Sequence, residues 1–147
     1  MTRSLLLFAL VAGTALPIQA GINALLTRRL GHPVQAAFVS FVIGSFALLA
    51  YCLAMRLRWP GLSEMRQVPP WLWVGGLLGA FYVAATVVLA PKLGASTMIG
   101  LIIAGQMAAS LALDHFGMIG FAPHPASVWR LLGAALLVVG VVIIQRT

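Results

Sequence analysis

The sequence is poor in charged residues, and acidic residues are almost absent from it. Charged residues make up 7% of the 147 positions, and only Glu64 and Asp114 are acidic. A soluble domain of this size carries charge on about a quarter of its residues. Hydrophobic residues make up 62% of the chain, and its mean hydropathy is +1.07. This composition excludes a water-soluble globule and predicts an all-α integral membrane protein.

Other scarce groups exclude further classes of protein. Cys52 is the only cysteine, which excludes an intrachain disulfide and a thiolate metal cluster. His32, His115 and His124 do not have the spacing of metal ligands. The chain contains no Walker A motif and no Ser/His/Asp or Cys/His set, so we predict no enzyme, no cofactor and no metal site. The basic residues flank apolar runs, which indicates membrane anchoring and argues against nucleic-acid binding.

Five apolar runs are long enough to cross a bilayer, which takes about 20 residues. They cover approximately residues 4–26, 33–55, 70–90, 95–113 and 127–144. The first run resembles a signal peptide up to Ala20, but it continues to Leu26, so we predict a spanning helix there. The loops between the runs are short. The pattern therefore predicts a single five-helix transmembrane domain over residues 1–147.

The Arg and Lys residues divide almost evenly between the two sides of the membrane. One side receives Arg3, Arg56, Arg58, Arg66 and Arg130, and the other receives Arg28, Arg29, Lys92 and Arg146. Lys/Arg bias sets membrane orientation, so five against four favours insertion both ways up. The alternative is a fixed orientation in which the side with five basic residues faces the cytoplasm. Two opposed copies would form an antiparallel dimer, in which inward-open and outward-open states have equal energy by symmetry.

Two uncharged amides lie in the first run, where lipid could not satisfy them. Gln19 and Asn23 are one helical turn apart and share a helix face. An unsatisfied amide in hydrocarbon costs several kcal/mol, so both should face protein, water or solute. They either join helices or bind a substrate. Pro17 either kinks the helix harmlessly or bends it to open a cavity beside Gln19.

A second row of polar residues occurs in the fourth run. Gln106, Ser110 and Asp114 recur every four residues, and Gln106 is the deepest of them. Asp114 stands at the end of the run, where a carboxylate is less costly than at the bilayer centre. Arg130 falls on the same side of the membrane. We therefore favour an ion pair between Asp114 and Arg130 over a role in proton coupling.

The other runs supply one further polar pair and several glycines. Tyr82 and Thr86 are four residues apart in the third run. Gly75 and Gly79 form a G-x-x-x-G pattern, which allows helix backbones to approach closely. In the fifth run Gly133 and Gly140 share one face, which suits packing or dimerisation. We predict that Tyr82 joins Gln19, Asn23 and Gln106 in lining a substrate cavity.

The absence of carboxylates from the middle of every run bears on the solute. Export of hydrophobic cations by proton exchange needs an acidic residue for which proton and cation compete. None of the five runs has one at its centre. Neutral or anionic polar solutes therefore suit the amides better than cations do.

Two long stretches resemble the YdcZ-like family of small bacterial inner-membrane proteins. These are "PIQAGINALLTRRLGHPVQAAFVSFVIGS" and "GGLLGAFYVAATVVLAPKLGASTMIGLIIAGQMAASLALDHFGMIG". The family belongs to the drug/metabolite transporter superfamily, beside EamA-like and small multidrug resistance proteins. In the resemblance Gln19 and Asn23 match the first-span amides, and Gln106, Asp114 and His115 match the fourth-span signature. The first-helix glutamate of the small multidrug resistance proteins is missing here.

The resemblance implies a multi-pass protein of the bacterial inner membrane that forms half of a transporter. We expect an antiparallel dimer that moves a small polar or amphipathic solute by alternating access. Its second subunit would be an identical copy or a related chain. The competing interpretation is a non-transporting membrane subunit that assembles with a partner.

Overall fold

The structure is a computed structural model that describes residues 2–146. Within this range the secondary structure consists of helices and contains no strand. The helices are α1 (Thr2–Leu30), α2 (Pro33–Ala54), α3 (Leu62–Arg66), α4 (Val74–Leu93), α5 (Ala95–Phe116) and α6 (Val128–Gln145). A 3-10 turn, Pro70–Trp73, leads directly into α4.

The prediction of five membrane-spanning helices is confirmed. Every helix except α3 is long and apolar enough to cross a bilayer. The spans that begin at Pro33, Pro70 and Ala95 start where the sequence predicts. The first helix is longer than predicted, because α1 continues through Pro17 for 29 residues. At 1.5 Å per residue it is about 43 Å long, more than the ~30 Å hydrocarbon core.

The short helix α3 lies in the longest connection and was not predicted. Glu64 positions it, because one carboxylate oxygen accepts a hydrogen bond from the Gly61 N–H at 2.8 Å. The other oxygen pairs with Arg58 at 2.9 Å. The two side chains are 85% and 50% exposed, so this ion pair is at the surface. The only glutamate in the chain therefore shapes a loop.

The chain packs as two compact units, which divide at Pro91 and Lys92 in the last turn of α4. The first unit contains α1 to α4, and the second contains α5 and α6. Neither grouping tests the prediction of a single domain, which stays a prediction.

The first unit has a small core built largely from small side chains. Ala36 and Ala37 of α2 pack with Val83 and Val87 of α4, and all four are buried. Leu26 of α1 packs against the same cluster. Most of the remaining apolar surface is exposed, since at most 17% of any spanning window is buried within the chain. Such a surface is compatible with lipid and not with water.

In the second unit a glycine allows α5 and α6 to approach closely. A Cβ atom at Gly100 would lie 2.9 Å from Cγ2 of the buried Val141. Gly117 ends α5 in the left-handed conformation, at φ +60°, which favours glycine. A Cβ at Gly117 would also lie only 2.8 Å from Pro123 Cγ. These two glycines fix the helix pair and the loop that joins it.

The four predicted packing glycines have looser surroundings within the chain. Gly79 faces Phe41, whose Cζ atom would lie 3.6 Å from a Cβ there. At Gly75, Gly133 and Gly140 a Cβ would meet nothing within 4 Å. Their role in packing against another copy stays a prediction, and sequence analysis missed Gly100, the described glycine that lies closest to a side chain of another helix.

Candidate functional site

The most unusual buried group in the spans is the amide of Asn23 on α1. Asn23 is only 2% exposed, and its Nδ2 atom has no hydrogen-bond partner within the described residues. Thr86, the other buried polar residue in the described part of the chain, satisfies its hydroxyl by donating to the Val83 carbonyl at 2.8 Å. A buried donor without a partner costs about 1–3 kcal/mol. The chain thus carries a cost at Asn23 that it avoids at Thr86.

Asn23 and Gln19 line one open-sided space between α1 and α2, which we call the α1–α2 hollow. Its volume is about 540 Å³, enough for a small organic solute. Thr14 and Ser40 add hydroxyls to its wall, and the Thr14 hydroxyl donates to the Val11 carbonyl at 2.7 Å. Much of the remaining wall is aliphatic: Val11, Ile18, Ile22, Leu26 and Ile43. The hollow therefore combines a few polar groups with an apolar wall.

A second space adjoins the same polar residues. We call it the Tyr51 hollow, because Tyr51 lines it together with Gln19, Ser40, Ser45 and Val83. Its volume is about 610 Å³. Gln19 and Ser40 line both hollows, so they lie where the two spaces meet. The predicted pair Gln19 and Asn23 is thus brought together at one hollow, and Gln19 extends to the next.

The other predicted lining residues have different surroundings. Tyr82 is half-buried against the core cluster, and its hydroxyl oxygen is buried without a hydrogen-bond partner among the described residues. Gln106 is exposed on α5, in the second unit. The side chain of Gln19 is likewise exposed, toward the hollows it lines. Binding by any of the four remains a prediction.

Ser40 is a lining residue that sequence analysis did not select for the site. It follows Ala36 and precedes Gly44 in a row of small residues spaced four apart on α2. Ala36 is completely buried, and Gly44 lines the Tyr51 hollow. A hydroxyl within a row of small residues is the signal that could have placed Ser40 beside the α1 amides.

Asp114 and Arg130 form an ion pair in the second unit, with Oδ2 and Nη2 2.5 Å apart. Arg130 Nη1 also donates to the His124 carbonyl at 2.8 Å. The His124 N–H donates to the Asp114 carbonyl at 2.7 Å, and the Ala126 N–H donates to His115 Nδ1 at 3.1 Å. These contacts tie the loop after α5 to the end of α5 and to the start of α6. The arrangement is that of a loop-fixing ion pair.

We expect Arg130→Met to lower the thermal unfolding midpoint of the purified protein. The change leaves the Asp114 carboxylate, 24% exposed, without its partner and removes a donor from the His124 carbonyl. The loss should be about 1–3 kcal/mol. Arg58→Met is the matched control, because its ion pair is far more exposed and should cost less than about 1 kcal/mol. Equal shifts for the two variants would contradict the loop-fixing role.

Five apolar spans that carry only a few polar side chains define an integral membrane protein. Comparison with known families places it further. Residues 4–143 match the family described as "Putative inner membrane exporter, YdcZ". The chain belongs to this family.

A bacterial relative agrees with the family match. The chain is 31% identical to "Inner membrane protein YdcZ" of Escherichia coli (strain K12) over 148 residues, which covers 99% of this chain and 98% of the relative. No solved structure matches the chain. The protein is therefore a multi-pass protein of the inner membrane, and the family supports a membrane transporter rather than an enzyme.

Proposed function

We propose that this protein is one half of a transporter that moves a small polar or amphipathic solute by alternating access. One observation carries the proposal: Asn23 is buried and unpartnered on the wall of the α1–α2 hollow. Residues that only join helices have their hydrogen bonds made. A donor left without a partner beside a hollow of solute size suits a binding site.

The transporter is an antiparallel dimer. Five spans put the two ends of one copy on opposite sides of the membrane, and the basic residues divide five against four. A two-fold axis in the membrane plane then relates the copies and makes the two open states equivalent. In both copies Gln19, Asn23, Tyr82 and Gln106 contribute to the solute path.

Within this mechanism the substrate-binding groups are neutral. Both acidic residues are held in ion pairs, one in the loop that contains α3 and one near the end of α5. Neither carboxylate lies at the centre of a span, where a proton and a cationic solute would have to compete for it. Solute release would follow from the movement of helices against each other and not from titration of a central acid.

A subunit that needs a related chain is the competing possibility. The exposed apolar faces of the spans leave room for an identical copy or a sister protein. The Asn23 observation favours a chain that binds solute itself.

Flux into liposomes tests this function. We expect liposomes that contain only this chain to take up at least one solute from a panel of labelled N-acetyl amino acids and polyols. Uptake should exceed that of liposomes with the Asn23→Leu variant by about ten-fold or more, since one lost hydrogen bond to a buried donor is worth about 1–3 kcal/mol. Uptake that appears only after a related chain is added would instead favour the heteromeric half.

A further inference from the structure

We propose that the solute class recognised at the α1–α2 hollow is an amphipathic molecule whose polar head accepts hydrogen bonds. This inference rests on the proposed function and specifies its substrate. The observation behind it is the kind of atom that lacks a partner. Nδ2 of Asn23, a residue on the wall of the hollow, is a hydrogen-bond donor.

The chemistry of Asn23 Nδ2 determines which solute groups can complete its hydrogen bonds. An amide Nδ2 offers two N–H groups and no lone pair for a donor to use. Carbonyl, carboxylate, phosphate or ether oxygens complete its hydrogen bonds, whereas a quaternary ammonium group cannot. Both charged partners that could attract a cation, Glu64 and Asp114, are already engaged by arginines. The unpartnered donor of Asn23 therefore favours solutes that carry an acceptor over cations that carry none.

The wall of the hollow determines what kind of chemical group can adjoin the polar head of the solute. Beside Asn23 the wall continues through Ile22, Ile18 and Val11 along α1 and through Ile43 on α2. These side chains offer contact to an apolar body and no hydrogen bonds. A solute bound with its acceptor at Asn23 would lay its apolar part along this aliphatic wall. The hydroxyl of Thr14 donates to the Val11 carbonyl, so its proton is already engaged within α1.

The Asn23 donor is covered in this structure, because the whole residue is 2% exposed. Solute must therefore enter as the wall opens, by rotation of Asn23 or by a small movement of α1 against α2. An uncompensated buried donor makes the covered state less stable than it would otherwise be. A solute acceptor that bonds to Asn23 removes the cost of the unpartnered donor. Solute binding therefore favours the arrangement of α1 and α2 in which Asn23 is accessible.

Binding of three small probes with the same aromatic body tests the inference. Benzoate is an anionic acceptor, N,N-dimethylbenzamide is a neutral acceptor, and benzyltrimethylammonium is a cation without an acceptor. Equilibrium dialysis would use the full chain in lipid nanodiscs, with empty nanodiscs subtracted. We expect the two acceptors to bind at least ten-fold more tightly than the cation.

Substitutions at Asn23 then identify the group responsible. Asn23→Leu should weaken both acceptors about ten-fold, and Asn23→Asp should reverse the order by weakening benzoate and strengthening the cation. Gln35→Leu, at an exposed position on α2, is the control and should leave all three affinities unchanged. Because a buried aspartate could disturb folding, Asn23→Leu alone suffices to test the role of the donor.

Three outcomes would overturn the inference. They are equal or tighter binding of the cation by the unmodified protein, no binding of any probe, and affinities that Asn23→Leu does not alter. A change of oligomeric state in Asn23→Leu with unaltered probe binding would show that a second copy supplies the acceptor. The proposed function fails separately, if liposome flux is absent while the acceptors still bind. Flux that prefers cations would sustain the function and overturn the solute class.

Discussion

Replacing Arg28 and Arg29 by glutamine should abolish transport while leaving the fold intact. The double change leaves five basic residues against two, so the positive-inside bias should force every copy into one orientation. Copies that all point the same way cannot form an antiparallel dimer. Both arginines are exposed near the end of α1, and the carboxylates of the described residues are paired elsewhere. Glutamine is also a good helix former, so α1 should persist.

The opposite bias provides a matched partner for this variant. Replacing Arg3 and Arg66 by glutamine and Arg56 by asparagine leaves two basic residues against four. Arg58 is retained because it pairs with Glu64, and asparagine suits Arg56 because the backbone there has φ 50°. Each variant should be inactive in cells when it is the only form expressed, whether from one gene copy or from two. Expressed together, they should restore transport, since one copy of each orientation is then present.

Labelling from outside the cell measures the orientation directly. Ser63 is exposed on α3, on the side with five basic residues, so Ser63→Cys in a Cys52→Ala background reports which way up a copy lies. An impermeant maleimide should label about half of the copies with the natural charge distribution. It should label few copies of the Arg28 and Arg29 variant, because the side of that variant with five basic residues faces the cytoplasm. Transport that survives in a uniformly oriented population would contradict the antiparallel dimer.

Hydrophobicity and helix-breaking residues were sufficient to predict the spans. A long apolar run in lipid makes its backbone hydrogen bonds internally by forming a helix. Pro33 and Pro70 mark helix starts in any context. The helix α1 extends beyond the predicted end at Leu26, because arginine continues a helix readily and Arg28 and Arg29 do not end it. The helix α3 escaped prediction because it depends on a contact between Glu64 and Gly61 and not on a pattern of apolar residues.

The candidate site was predictable only in part. The spacing of Gln19 and Asn23 places both on one face of α1, and this follows from helix geometry alone. Whether an amide finds a partner depends on what the neighbouring helix brings opposite to it, which spacing does not contain. The contrast between the unpartnered Asn23 and the self-satisfied Thr86 therefore emerged only in three dimensions. The same limit applies to Ser40, whose position between two hollows depends on how α2 packs against α1.

The glycines show the same limit more sharply. A G-x-x-x-G pattern marks Gly75 and Gly79, yet among the described glycines the tightest contact with another helix occurs at Gly100, which lies outside such a pattern. Close packing needs a small residue on one helix opposite a suitable neighbour on the other, and Val141 is that neighbour here. A motif on one helix records only half of this requirement.

Replacing Asn23 by leucine should make the protein more stable and inactive. The two side chains have the same branching and the same number of heavy atoms, so leucine fits the space without a donor that needs a partner. Removing an unsatisfied buried donor should raise the free energy of unfolding by about 1 kcal/mol or more. Transport should fall by about ten-fold or more, because the group that meets the solute is lost.

A gain of stability together with a loss of activity distinguishes a binding group from a structural one. A structural amide that joins helices would lose its hydrogen bond on substitution, and stability and transport would then fall together. Thermal unfolding in detergent and liposome uptake, measured on the same preparation, separate the two cases. Gln35→Leu makes a similar amide-to-leucine change at an exposed site and should shift stability by less than about 0.5 kcal/mol with uptake retained. A destabilised Asn23→Leu protein would mean that Asn23 has a partner in the assembled transporter. A stable variant with full uptake would show that Asn23 does not contact the solute.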